Sequence, residues 1–145
     1  MTTTARLRLS NLDTFGSSEV TVEHVRLSKT ARDQLVTLKR RTGIGQWNVL
    51  CRWALCRSLA EPSVPPATRI LADSNVEMTW KVFAGIHGDV LWAALRMRCH
   101  TDDFGLDDET LATQFRLHLH RGIGYLIGDT RSSDIEGLVK LALVE

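Results

Sequence analysis

The sequence predicts a mainly α-helical protein with short β-strands, arranged as two successive β-α-α units in one compact domain. Three observations carry that expectation. The chain has 145 residues, 43% of them hydrophobic and 24% charged, the length and composition of a single globular domain with a real core. Apolar residues recur at helical spacing in four stretches, and each pair of stretches follows a short alternating run rich in β-branched residues. The three Pro and ten Gly are too few and too scattered for a collagen-like or linker-dominated chain.

Taken in order, residues 1–19 mix Thr, Ser, Arg and scattered Leu without a sustained period and read as a flexible N-terminal arm. From Val20 the run VTVEHVRLS alternates, with Val25 and Leu27 on one side and His24, Arg26 and Ser28 on the other, so a strand is expected. Ser28 suits a helix N-cap, and KTARDQLVTLKRRTG then places Ala31, Leu35, Leu38 and Thr42 at helical spacing before Gly43 stops it. A second helix follows in QWNVLCRWALCRSLAEP. It carries one apolar stripe of Trp47, Leu50, Cys51, Ala54, Leu55 and Ser58, and another of Val49, Trp53, Cys56 and Ala60. One small domain rarely hides both stripes, so a homo-oligomer is expected, with Trp47, Val49, Trp53 and Cys56 at its interface. This basic unit spans 20–61, and the Pro-containing connector spans 62–73.

The second unit, 74–128, repeats the order of elements. NVEMTWKVFAG alternates Val76, Met78, Trp80 and Val82 with polar residues, predicting a strand over 75–85. HGDVLWAALRMRCHTDD follows as a helix carrying Val90, Leu91, Ala94, Leu95 and Met97. A last helix is capped by Asp107 or Asp108 and buries Ala112, Phe115, Leu119, Ile123 and Leu126. Residues 129–145 read as a C-terminal arm.

The formal net charge of +1 conceals two opposite halves: ten Lys and Arg against four Asp and Glu in residues 1–59, and eight against thirteen in 60–145. Such asymmetry points to a polyanionic partner. The cations concentrate on the first helix, where Lys29, Arg32, Lys39 and Arg40 share an arc of about 100° and Arg41 lies at the same end. The first unit also has the layout of a ribbon-helix-helix module, whose strand pairs with a partner chain's strand and enters the DNA major groove. In that reading His24, Arg26 and Ser28 face the bases.

Other chemistries find little support. Cys51 and Cys56 stand about 140° apart around a helix, and His118 and His120 about 200°, so neither pair shares a face as metal ligands must. The acidic run from Asp102 to Glu109 lacks the EF-hand spacing. No phosphate-binding loop, nucleophile elbow or dinucleotide fingerprint occurs, so neither an enzyme nor a cofactor is expected. The four Trp sit among apolar neighbours and are assigned to packing rather than base stacking. Three Cys without a CxxC read as reduced thiols. With no signal-like start and no apolar run of about 18 residues, the expected location is the cytoplasm.

The stretches VEHVRLSKTARDQLVTLKRRTGIGQWNVLCRWALCRSLAEPSVPP, DSNVEMTWKVFAG and LDDETLATQFRLHLHRGIGYL closely resemble the DndE family of bacterial DNA sulfur modification, over about Val22 to Gly128. The resemblance implies a place in the machinery that replaces a non-bridging phosphate oxygen of DNA with sulfur. It further implies a small homotetramer that binds double-stranded DNA with preference for a nick. Partner subunits, DndC-like and DndD-like, would do the sulfur-activating and nucleotide-hydrolysing work. The family's positive surface would correspond to Arg26, Lys29, Arg32, Lys39, Arg40 and Arg41. Four of these six are Arg, whose planar fork makes contacts a lysine cannot. Two alternatives stand beside this reading: a ribbon-helix-helix transcription regulator, and a structural adaptor whose basic face docks an acidic subunit.

Overall fold

A computed structural model describes residues 19–131 and residue 139. The expected N-terminal arm therefore lies outside the described residues except for Glu19, and the C-terminal arm except for residues 129–131 and 139.

Strand β1 (His24–Arg26) points Val25 into the core and leaves His24 and Arg26 outside, as a period of two requires. It pairs antiparallel with β2 (Glu77–Thr79), Val25 opposite Met78 and Arg26 opposite Glu77. Main-chain bonds from Trp80 N–H to Glu23 and from Leu27 N–H to Val76 extend the ladder at both ends. The pairing is intramolecular, where a ribbon-helix-helix layout takes the second strand from a partner chain, because the second unit supplies an antiparallel strand of its own.

Ser28 caps α1 (Lys29–Thr42), its Oγ accepting the Ala31 N–H at 3.1 Å. Ala31, Leu35, Leu38 and Thr42 are buried as their spacing requires, and the helix ends at Gly43, whose φ of 75° is the left-handed conformation that favours glycine. Helix α2 (Trp47–Ala60) buries Leu50, Cys51, Ala54, Leu55 and Ser58. Its second stripe is only partly covered, with Val49 and Trp53 half-buried, Trp53 against the core, and Cys56 and Ala60 exposed.

The strand expected over residues 75–85 changes type halfway. Thr79 Oγ1 accepts the Val82 N–H at 3.2 Å and opens α3 (Trp80–Ala84), and a 3-10 turn over Gly85–His87 leads into α4 (Gly88–Thr101). Helical spacing sends Trp80, Phe83 and Ala84 inward together, whereas alternation would have buried Val82, which is 54% exposed. The reason is tertiary: the Trp80 ring lies 5.2 Å from Phe83 and 5.5 Å from both Trp92 and Phe115, an aromatic cluster with tilted and edge-on contacts. Helix α4 buries Leu91, Trp92, Leu95, Arg96 and Cys99, so Val90, Ala94 and Met97 of its expected stripe face outward.

Asp107 caps α5 (Asp108–Asp129), accepting the Thr110 N–H at 3.1 Å. Hydrogen bonds from the Thr110 side chain and backbone hold the Asp107 carboxyl below the usual range. Phe115, Leu119, Ile123 and Leu126 are buried as spaced, and Ala112 is half-buried. Helix α5 lies against α2, close enough at Gly122 to exclude any side chain there. Among the described residues no helix is long and apolar enough to cross a membrane, and no group of His, Cys, Asp or Glu is placed to hold a metal.

Candidate nucleic-acid interface

The cations of the first unit spread along β1 and the whole length of α1, about 20 Å at 1.5 Å per residue. Arg26 and Lys29 stand exposed at the strand-to-helix junction, where the Lys29 N–H donates to Asp73 Oδ1 at 2.7 Å and leaves the ammonium outside. Arg32 is half-buried and paired with its neighbour Asp33, Nη2 to Oδ1 at 3.0 Å. Near the far end Lys39 holds its ammonium 4.0 Å above the Trp47 ring, so Trp47 works here as a cation–π partner on the edge of the basic helix. Arg40 is exposed, and Arg41 donates from Nη1 to the Ile127 carbonyl at 2.9 Å, tying α1 to the last turn of α5. The structure thus brings Arg26 and Lys29 together at one end of α1 and Lys39 and Arg40 at the other. Arg32 and Arg41 make contacts of their own.

Of the residues expected to read bases, His24 is exposed with Nδ1 3.7 Å from Glu77 Oε1, and Ser28 is engaged as a cap. The backbone N–H of Ser28 also donates to His120 Nε2 at 3.1 Å, fastening the β1–α1 junction to α5. Of the expected interface residues, Cys56 is exposed on α2 and Val49 is half-buried, while Trp47 and Trp53 are half-buried against the core.

A buried polar cluster that the sequence did not reveal sits between α2 and α5. Arg121 Nε donates to Ser58 Oγ at 2.8 Å, and Ser58 Oγ lies 2.8 Å from His118 Nδ1. The hydroxyl oxygen accepts from the guanidinium, and His118 Nε2 is buried without a hydrogen-bond partner among the described residues. Ser58 and His118 are both fully buried. Spacing gave no signal for the cluster, because its members come from two helices 60 residues apart. Burial first, and then the Arg121 and Arg98 charges, push the His118 pKa down to about 4. A histidine depressed below its unfolded value of about 6.5 stabilises the fold fully above that value, and the contribution is lost as pH falls toward 4. Stability is therefore expected to drop by about 2 kcal/mol between pH 7 and pH 5, above most of the carboxylate range. Urea unfolding at the two pH values checks this. The His118→Gln variant should flatten the slope, and an unchanged slope would remove His118 as its source.

The thiols are not activated. Burial raises Cys51 to about 12 and Cys99 to about 11, and it raises Cys56 as well, so all three stay protonated.

Fold and surface define a small, mainly helical protein with one two-stranded antiparallel sheet and a basic helix along one flank. The chain belongs to the DndE family: the family model for DNA sulphur modification protein DndE matches residues 24–134. Among solved structures it is similar to DndE from Escherichia coli B7A, involved in DNA phosphorothioation modification, with 24% identity and a TM-score of 0.63 over 74% of this chain and 99% of that one. It is also similar to a DndE mutant with two glycine-to-lysine changes, involved in DNA phosphorothioation, with 21% identity and a TM-score of 0.58 over 73% of this chain and 97% of that one. No curated protein matches the chain.

Proposed function

We propose that this protein is a non-catalytic, DNA-binding subunit of the bacterial DNA phosphorothioation machinery, one that holds double-stranded DNA and prefers nicks. The observation that carries the reading is the set Arg26, Lys29, Lys39 and Arg40. These project from one strand-helix unit, and none forms an ion pair among the described residues. Membership of the DndE family supports the same reading. Phosphate contacts of this kind are independent of sequence and strongly dependent on salt. A nick acts as a flexible hinge and lowers the cost of bending the duplex onto the surface.

Assembly into a homotetramer through the incompletely covered stripe of Val49, Trp53 and Cys56 on α2, beside Trp47, would multiply the basic helix fourfold. DndC-like and DndD-like subunits would supply the sulfur and nucleotide chemistry.

The test is fluorescence anisotropy with intact, nicked and single-stranded forms of one DNA sequence over a salt series. Nicked duplex should bind tightest, with a steep salt slope. Charge reversal of Lys29, Lys39 and Arg40 should weaken binding about 100-fold or more at low salt. Arg41 is left intact because its guanidinium holds α5. Absence of binding to every form by the wild-type protein would overturn the reading and leave the basic face to an acidic subunit.

A further inference from the structure

The second half of the chain, acidic in sum, contributes exposed arginines to the flank where β1, the connector and α5 meet. Three open grooves adjoin there. One is walled by residues 21–26 and by Ala112, Phe115 and Arg116. The next lies between residues 68–72 and Thr113, Arg116 and Leu117. The third runs past Ser28 and Thr30 to Pro65, Arg69 and His120. Arg116 belongs to the first two grooves and Arg69 to the last two, so they form one trough with Arg26, Arg116 and Arg69 in succession.

Each of these three guanidinium groups is on an exposed residue, and none has an ion pair among the described residues. Glu23 lines the first groove and Asp73 the third, where Asp73 already accepts the Lys29 N–H. The middle groove, between Arg69 and Arg116, has no acidic residue in its walls. The His120 ring is already engaged with the Ser28 N–H and the Arg116 carbonyl.

From these placements we infer that the Arg26–Arg116–Arg69 trough is a second phosphate track, which holds a DNA backbone and joins the basic helix through Arg26 and Lys29. The inference rests on the DNA-binding reading above and assigns it a second surface. A row of guanidinium forks suits a polyanion that carries one charge about every 3.4 Å of each strand, because each fork takes two oxygens of one phosphate. DNA is the occupant because Arg26, which walls the first groove, belongs to the strand-helix unit proposed above to bind DNA. Sequence reading missed Arg69 and Arg116 because one stands in a connector without periodicity and the other on a helix whose cap and first turn are acidic.

The test uses the full-length protein with Arg69→Gln and Arg116→Gln combined, measured for duplex binding by anisotropy over a salt series beside wild type and a Lys39→Gln, Arg40→Gln variant. Both trough side chains are exposed, so the thermal midpoint should not move. Binding should weaken about tenfold or more near physiological salt, with the salt slope falling by nearly two, and Arg69→Lys with Arg116→Lys should restore most of that slope. Wild-type affinity and slope in the trough variant, with the Lys39 and Arg40 variant weakened, would overturn the track while leaving the proposed function standing. A wild-type protein that binds no duplex overturns both. Unchanged DNA binding with lost attachment to the other modification subunits would also overturn it and give the trough to a protein.

Discussion

Replacing Gly122 by alanine should destabilise the protein by about 3 kcal/mol or more and lower its thermal midpoint by about 10 °C. A Cβ at this position would collide with the carbonyl oxygen and carbon of Ala54. The obstacle is the main chain of α2, so no side-chain rotation relieves it, and α2 and α5 must move apart along their packed length. That separation would open the region around Leu50, Leu55, Leu119 and Ile123, all essentially buried. The internal control is Gly124→Ala, two residues further along the same helix. No atom lies within 4 Å of the Cβ it would add, so the usual helical gain of alanine over glycine, up to about 1 kcal/mol, should appear there. Thermal unfolding of the two variants should differ in sign, and equal midpoints would contradict the close crossing of α2 and α5.

Arg98→Ala should be comparably damaging, at about 3 to 5 kcal/mol, because this one side chain closes the C-terminal end of α2. All five guanidinium donors have an acceptor. Nε donates to Asp102 Oδ2 at 2.8 Å, Nη1 to the carbonyls of Leu59 and Glu61 at 3.0 and 2.6 Å, and Nη2 to those of Pro62 and Ser63 at 3.0 and 2.6 Å. A helix leaves its last carbonyls without intrahelical donors, and its C-terminal end is the negative one, so a cation that also donates satisfies both demands. The Arg98 and Asp102 side chains are only 10% and 8% exposed, so removing the cation would strand the Asp102 carboxylate and take the donor from the Leu59 and Glu61 carbonyls at the helix end. Arg121 reinforces the same turn by donating to the carbonyls of Ser58 and Ser63. Arg98→Lys should recover little, since a lysine offers three donors from a single point. Urea unfolding checks the magnitude, and a lysine variant as stable as wild type would show that charge alone suffices. Limited proteolysis should show earlier cutting within residues 62–73, the connector that carries Arg69.

The candidate interface was only partly legible beforehand. Helical arithmetic grouped the cations of α1, and Lys29 and Arg40 are exposed there, as Arg26 is on β1. It could not show that Asp33 occupies Arg32, that Trp47 lies under Lys39, or that Arg41 reaches the Ile127 carbonyl. Two of those three partners are distant in sequence from the residues they engage, or lie across a turn, and no periodicity encodes such meetings.

By itself the sequence determined β1, the two helices that follow it and the last helix, the cap at Ser28, an acidic cap at Asp107 or Asp108, the stop at Gly43, the buried faces of α1 and α5, and the family. Each structural feature in that set depends on residues within a turn or two of one another, where backbone geometry leaves few choices. Only the tertiary structure decided that β1 pairs within its own chain, that the run after Thr79 coils into α3, and that α4 turns Val90 and Met97 outward. The same alternating or amphipathic run satisfies a strand or either rotation of a helix until other segments press against it. Here the Trp80–Phe83–Trp92–Phe115 cluster and the contact of α5 with α2 at Gly122 remove the alternatives by excluding volume, which no local pattern records.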